Sequence, residues 1–278
     1  MEPKLLKQSP YYNIDQFIAY LKGKQNQFTV INLNCESLNA KFDELQVFIH
    51  ELDQNSCSPA AICLQETWLH DHSDLSLFHL ENYNLIARGK SCTARGGVAI
   101  YLQEEYDYEI LDIFEGSEIW EGQFIKITIP GTNKKVILGN IYHPPRDLND
   151  NYELFIREFS SILNKLQKSK QEILIGGDFN IDLLKIHEKA MYATFFDTVT
   201  SLGFYPQITL PTRLSQRRGT IIDNFLYKLS DLLTNLTDSG IISSRISDHF
   251  PYFIGLDILS TNHDPLPKYT NIRPRHIN

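Results

Sequence analysis

The sequence predicts an α/β fold, a four-layered sandwich in which two mixed, mostly antiparallel β-sheets pack face to face and are flanked by helices. Three observations predict it. Short β-rich runs are numerous, and several follow one another at hairpin spacing. Three or four amphipathic helical stripes lie among them. Strand and helix do not alternate strictly, which separates the chain from a simple doubly wound parallel sheet.

Residues 1–27 are polar, with one short helical pattern at Phe17, Ile18 and Leu21. They are expected to form a leader packed on the domain. FTVINL (28–33) is a β-rich run. Leu38, Phe42, Leu45, Phe48, Ile49 and Leu52 then recur at helical spacing, with Ser37 as N-cap. AAICLQ (60–65) reads as a buried strand, followed by YNLIAR (83–88), GVAIYL (97–102), YEILDIF (108–114), QFIKITI (123–129) and VILGNIY (136–142). PGTN between the last two is a turn signal, so they form a hairpin. Tyr152, Phe155, Ile156, Phe159, Ile162, Leu163 and Leu166 make the clearest helical stripe. EILIGG (172–177) is a strand, and a helix over Tyr192–Leu202 stops at Gly203. IIDNFLY (221–227), SGIISS (239–244) and FPYFIGL (250–256) close a domain placed at 28–258. The polar, proline-containing stretch 259–278 reads as a C-terminal linker.

With 278 residues, 42% hydrophobic and 22% charged, the composition is globular and excludes a mainly disordered or fibrous chain. No run approaches the ~20 apolar residues of a membrane span. The first residues carry no apolar segment of the secretory type, and the four cysteines form no C-x-x-C pair, so a reducing, intracellular location is expected. The net charge of -8 argues against nucleic acid unless the acids gather in a metal site and the bases in a groove.

The chemistry-bearing residues sit at strand ends. Asn34 and Glu36 follow the first strand, Glu66 follows the second, Asp178 and Asn180 follow 172–177, and Asp248 and His249 precede the last strand. Tyr142, Asp223 and Asn224 are further polar residues at or in strands. Converging carboxylates repel by up to ~4 kcal/mol per close pair at an effective dielectric of 20, so such a cluster asks for a divalent cation. An all-oxygen donor set favours Mg²⁺ or Mn²⁺. A His beside an Asp can shuttle a proton or donate to a developing anion. Together this is a toolkit for phosphate esters. Singly, each motif has a plainer reading: GGDFN as a turn, Tyr142 as an edge-strand aromatic.

QET (65–67), IYHPP (141–145), GGDFN (176–180), GTIID (219–223) and SDH (247–249), in this order, resemble the endonuclease/exonuclease/phosphatase superfamily. LNCESLNAKFDEL (33–45), QETWL (65–69), RGGVAIYL (95–102) and the leader YYNIDQFIAYLKG are similar to the apurinic-like endonuclease domain of non-LTR (LINE-type) retrotransposons. The resemblance spans about residues 12–258. It implies that Glu66 and Asn34 bind Mg²⁺, with Asp248 as a further acidic partner. Asp178 would align or activate the attacking water, and Asn180 would hold nucleophile and phosphate. Tyr142 would contact the scissile phosphate, and His249, oriented by Asp223, would stabilise its transition state. The implied reaction is hydrolysis of a DNA phosphodiester to leave a 3′-hydroxyl that primes reverse transcription in the nucleus. Double-stranded DNA is then the partner, a C-terminal reverse transcriptase would complete the full-length protein, and the domain itself is expected to be a monomer. Glu36 and His143 depart from the family pattern.

Arg213, Arg217 and Arg218 lie in one loop with no acid between Thr209 and Ile222, and either contact DNA or form a solvated turn. Lys90 and Arg95 flank a second, Gly-rich turn. His70-Asp71-His72 reads as a solvated loop rather than a metal site, Cys35 as a packing residue, and Asn235 as an idle sequon. Two other functions stay open: an abasic-site repair-type endonuclease or another phosphoesterase of the same fold, and an inactive, domesticated DNA- or protein-binding domain.

Overall fold

The computed structural model describes residues 8–24, 27–88, 96–113, 117–145, 149–214, 218–228 and 238–258. In chain order the elements are β1 (Tyr11–Tyr12), α1 (Ile14–Lys22), β2 (Phe28–Asn34), α2 (Leu38–Gln54), β3 (Ala61–Gln65), β4 (Tyr83–Arg88), β5 (Val98–Gln103), β6 (Asp107–Ile110), β7 (Glu121–Thr128), β8 (Lys135–Tyr142), α3 (Asn149–Leu166), β9 (Glu172–Asp178), α4 (Ala190–Ser201), β10 (Phe204–Pro206), β11 (Arg213–Leu214), β12 (Gly219–Thr220), β13 (Asp223–Lys228), β14 (Asp238–Ile242) and β15 (Tyr252–Leu256). One sheet runs β1-β14-β15-β2-β3-β5-β4, a second runs β10-β13-β9-β8-β7-β6, and β11 and β12 form a small separate ribbon. The pairs β1–β14, β2–β3 and β8–β9 are parallel, and the other neighbours are antiparallel.

Strand alternation explains the layers. Even-numbered positions of β2 (Phe28, Val30) and odd positions of β3 (Ala61, Cys63) face even positions of β8 and β9 (Leu138, Leu174) in the central core. Their alternates, Ile31, Leu33, Ile62 and Leu64, face outward and pack with α1 and α2 through Phe17, Leu45 and Ile49. On the other side Ile137, Ile141, Ile173 and Ile175 pack against Phe155, Phe159 and Phe195 of α3 and α4. Three apolar layers between four layers of elements make the expected sandwich.

The central core turns polar toward one end. Two residues along each strand from Leu138 and Leu174 lie Asn140 and Gly176, and two further lie Tyr142 and Asp178. Asn140 accepts from Gln65 Nε2 and donates to the Leu64 and Ala99 carbonyls, bolting the sheets together. The Tyr252 hydroxyl crosses the same gap, accepting from Gly177 N–H and lying 3.0 Å from the Gly177 carbonyl and 3.1 Å from that of Asn224. Gly177 is required here, because a Cβ would sit 2.1 Å from the Ile141 carbonyl oxygen of the neighbouring strand.

Several local expectations change. Among the described residues of the run 108–114, the strand is confined to Asp107–Ile110, where all four residues are exposed. It is an edge strand paired to β7 alone, and Leu111 and Ile113 leave the sheet to pack on the α3 side. The strand expected from Ile221 begins at Asp223, because Ile222 and Ile221 carbonyls bond to Phe179 N–H and Leu183 N–H instead of a ladder partner. The short strands β1, β10, β11 and β12 carry no period of their own that a sequence pattern reveals. The stretch 259–278 lies outside the described residues.

Candidate active site

The polar end of the sandwich is built by register. Glu121, Tyr142, Asp178 and Asp223 stand side by side across β7, β8, β9 and β13. Asn34 and Gln65 are paired at the ends of β2 and β3 in the facing sheet. Loops beyond these ends add Glu66, Asn180, Asp248 and His249. The backbone there is unusual: Glu36, Ser37, Glu66, Trp68 and Asn180 all have positive φ. For non-glycine residues this conformation carries strain that the surroundings must hold, and it clusters at this site.

Asn34 joins the two halves. Its Nδ2 donates to Glu66 Oε1 at 2.8 Å and to Asp178 Oδ2 at 2.9 Å, so an electropositive amide stands between two carboxylates. Its Oδ1 accepts from Glu36 N–H at 3.2 Å. Ser247 Oγ donates to the Asn34 carbonyl and caps the turn that presents His249, whose N–H it accepts at 3.0 Å. Asp178 Oδ1 accepts from Asn180 N–H. Asn180 Nδ2 donates to the His143 carbonyl at 2.8 Å, which holds the amide against the β8 end.

His249 and Asp223 form a buried pair, 2% and 0% exposed. His249 Nδ1 lies 2.9 Å from both Asp223 oxygens. A carboxylate only accepts, so Nδ1 carries the proton and Nε2 is turned to the site. Burial lowers the pKa of His249, but the Asp223 charge and hydrogen bond outweigh it and raise it to about 9. Burial, then the neighbouring Asp223, raises Asp178 to about 7. Burial together with the negative charges of Glu66 and Asp178 holds the Tyr142 hydroxyl well above its ordinary value. Burial and Asp248 push the Glu36 carboxyl up.

The donor set suits a divalent cation. Asp178, Asp223 and His249 offer ligand atoms within 4.8 Å of one another. The His249–Asp223 bond, however, spends those two groups on each other. The pair of carboxylates bridged by Asn34 is the better cradle, since Glu66 and Asp178 converge on one amide group. Burial and the like charge of Asp223 drive Asp178 up to about 7, a cost that a cation beside it would relieve.

The structure brings together Asn34, Glu66, Tyr142, Asp178, Asn180, Asp223 and His249. Asp248 stands at the rim, 44% exposed, its Oδ2 gripped by Arg213 Nε at 2.9 Å and Nη2 at 2.6 Å, and its Oδ1 3.5 Å from His249 Nε2. Arg213 lies in β11 and its backbone forms an antiparallel β-bridge with that of His249, so one of the three loop arginines reaches the site. Arg218 is exposed beside β12. Arg217, Lys90 and Arg95 lie outside the described residues, as do Cys92 and Asn235. His143 is a packing residue: it is buried, stacks on Phe155 at 4.2 Å, and its Nδ1 lies 2.9 Å from the Phe179 carbonyl. His70, Asp71 and His72 are all exposed, and Cys35 is buried with its thiol pKa pushed up by desolvation and Glu66.

Thr212 was not legible as a site residue. Its hydroxyl donates to Asp223 Oδ2 at 2.6 Å and fixes the carboxylate that orients His249. It sits 11 positions before its partner in a polar loop, and only the fold joins them.

Similarity to known proteins agrees with this geometry. A family model described as the Endonuclease/Exonuclease/phosphatase family matches residues 30–249. Among solved structures, the AP endonuclease LMAP from Leishmania major superposes with TM-score 0.68 at 14% identity, over 84% of this chain and 88% of that one. The endonuclease domain of TRAS1, a telomere-specific non-LTR retrotransposon, gives 0.63 at 16% identity, over 84% of this chain and 100% of that one. A 3′-5′ exonuclease from Neisseria meningitidis gives 0.61 at 19% identity, over 82% and 99%. At these identities the likeness is one of fold. Among the described residues no helix is long and apolar enough to cross a membrane.

Proposed function

Because the chain belongs to the Endonuclease/Exonuclease/phosphatase family, we propose that it is a Mg²⁺-dependent DNA endonuclease that nicks one strand and leaves a 3′-hydroxyl. One observation carries the reading. Two carboxylates bridged by an amide, and a buried imidazole charged by a buried Asp, converge from both sheets on one open end of the sandwich.

Glu66, with Asn34 and Asp178 beside it, would hold the cation, with Asp248 as a further acidic partner at the rim, and Mn²⁺ suits the same oxygen donors. The metal, when bound, neutralises phosphate charge and polarises the ester. The side chains supply the rest. Asp178 in its ionised form takes a proton from the attacking water, and Asn180 is placed beside it to fix that water and a phosphoryl oxygen. The water oxygen bonds to phosphorus, and the P–O3′ bond breaks with its electron pair on the 3′-oxygen, which takes a proton from solvent water to become the hydroxyl. His249 is imidazolium near neutral pH and donates from Nε2 to a phosphoryl oxygen as charge develops. Asp223, itself held by Thr212, keeps that ring oriented. The Tyr142 phenol stays protonated and donates toward the same phosphate.

The finer assignment is to a non-LTR, LINE-type retrotransposon, where the 3′-hydroxyl primes reverse transcription of target DNA in the nucleus. The motifs around Glu66, the leader sequence, and a fold shared with the TRAS1 endonuclease domain support it. Double-stranded DNA is the partner, with Arg213, Arg217 and Arg218 on its side of the site, and a C-terminal reverse transcriptase would use the product.

The test is conversion of supercoiled plasmid to open circles with Mg²⁺, run beside Asp178→Ala and His249→Ala. Wild type nicks, EDTA stops it, and both variants fail. A folded wild type inert on plasmid would overturn the reading, and cleavage confined to abasic oligonucleotides would turn it to a repair-type endonuclease.

A further inference from the structure

Glu121 stands in the row of Tyr142, Asp178 and Asp223, at the first residue of β7 and directly opposite Tyr142 in register. Nothing in the reaction above uses it. Its Oε2 accepts the Gly97 N–H at 2.5 Å. Its Oε1 is shielded from solvent and lies so close to Gly96 that a Cβ there would fall 2.3 Å from it. The carboxylate therefore clasps the Gly96-Gly97 turn from the facing sheet.

That turn supports the segment that follows Glu66. The Gly96 carbonyl accepts from Trp68 N–H at 2.7 Å, and the Gly97 carbonyl accepts from Thr67 N–H at 3.2 Å. Gly96 and Gly97 have φ of 140° and 88°, and Glu66 and Trp68, on either side of Thr67, have φ of 50° and 54°. At Gly97 a Cβ would lie 2.4 Å from Thr67 Oγ1, so the two segments touch without a spacer. A pair of adjacent glycines is conformationally permissive, and a left-handed glutamate is strained. Backbone bonds from Ser37 N–H to the Glu66 carbonyl and from Leu38 N–H to the Thr67 carbonyl hold the Glu66 segment from one side, and Glu121 holds the Gly96-Gly97 segment from the other.

We infer that Glu121 is a positioning residue for Glu66, holding the Gly96-Gly97 turn so that the Glu66 carboxylate meets Asn34 and the cation at a fixed distance. The inference rests on the nuclease reading for the identity of the cation, and its test separates the two. Glu121→Gln keeps an oxygen to accept the Gly97 N–H, whereas Glu121→Ala leaves that donor without it. Mn²⁺ is titrated calorimetrically into the metal-free full chain, exchange of the Gly97 amide is followed by NMR, and the Mg²⁺ concentration for half-maximal plasmid nicking is measured.

Glu121→Ala is expected to bind Mn²⁺ about tenfold more weakly and to need about tenfold more Mg²⁺, with the rate recovered at saturation, while Glu121→Gln stays within about twofold of wild type. Gly97 exchanges faster in Glu121→Ala and slowly in Glu121→Gln. Wild-type Mn²⁺ affinity in Glu121→Ala, equal damage in Glu121→Gln, or no Mn²⁺ binding by wild type would each overturn the inference. If wild type binds Mn²⁺ but cleaves no DNA, the nuclease reading fails while the calorimetric comparison still decides the role of Glu121.

Discussion

Replacing Asp223 with Asn removes one charge from the interior while leaving the shape of the side chain almost unchanged. In wild type, His249 is raised from 6.5 to about 9 even though burial alone would lower it. At ~1.4 kcal/mol per pH unit, that displacement corresponds to about 3 kcal/mol of preference for the imidazolium. Asp223 is the largest source of that preference, ahead of Asp178. In Asp223→Asn the burial cost is opposed by Asp178 rather than by Asp223, so the ring titrates below wild type. The assay is an NMR titration of the His249 ring in EDTA. Stability follows with a definite sign. A folded-state pKa raised above the unfolded one stabilises fully below the unfolded value and is lost as pH rises through the folded value. The stability gap between wild type and Asp223→Asn is therefore widest below about pH 6.5 and closes above about pH 9. A His249 that titrates at the same pH in both proteins, or a gap that is flat across this range, would refute the assignment of Asp223 as the partner that charges the ring.

Asp178, raised to about 7, has the same linkage sign in metal-free protein: stability falls as pH rises through the range from 3.8 to about 7, which denaturant melts in EDTA check. Mg²⁺ at about 100 times its Kd should add about 2.7 kcal/mol to wild type and almost nothing to Glu66→Ala, read from melts with and without the ion, and an equal gain in both would remove Glu66 from the metal site. Gly177→Ala forces a Cβ to within 2.1 Å of a backbone oxygen and should destabilise by about 3 kcal/mol or more in chemical denaturation, whereas an unchanged midpoint would show that β8 and β9 can part there. Arg213→Gln should weaken DNA binding and lower the salt slope by about one phosphate contact, measured by fluorescence anisotropy across KCl, and an unchanged slope would leave Arg213 as a rim partner of Asp248 alone.

The sandwich was legible because its strands are apolar on both faces and its helices carry clear stripes, as in α3, where Phe155, Phe159 and Leu163 are buried against the second sheet. The candidate-site row was legible for another reason. Asn34, Tyr142 and Asp178 lie at the very ends of buried strands, where a polar group closing an apolar run must find a polar partner or face a site. What stayed hidden depends on contacts between distant segments. Thr212 and Glu121 look like ordinary polar residues, and their roles exist only because the fold sets Thr212 against Asp223 at the start of β13 and β7 across from the Gly96-Gly97 turn. His143 was ambiguous beside Tyr142, since adjacent residues point to opposite sides of a strand end and only the packing of Phe155 decides that the ring turns outward from the site. Arg213 could be placed in a basic loop, but its grip on Asp248 across 35 positions could not be read from spacing.

The proposed reaction cuts a DNA phosphodiester on the 3′-oxygen side at this one site. The direct test is the chemistry of the new end. A supercoiled plasmid is treated with the full chain and Mg²⁺, and the nicked product is offered to a DNA polymerase with labelled nucleotides, with and without prior phosphatase. Label entering at the nick without phosphatase, absent in EDTA and in Asp178→Ala, is the predicted result. No nick, or a nick that a polymerase can extend only after phosphatase, would contradict the account.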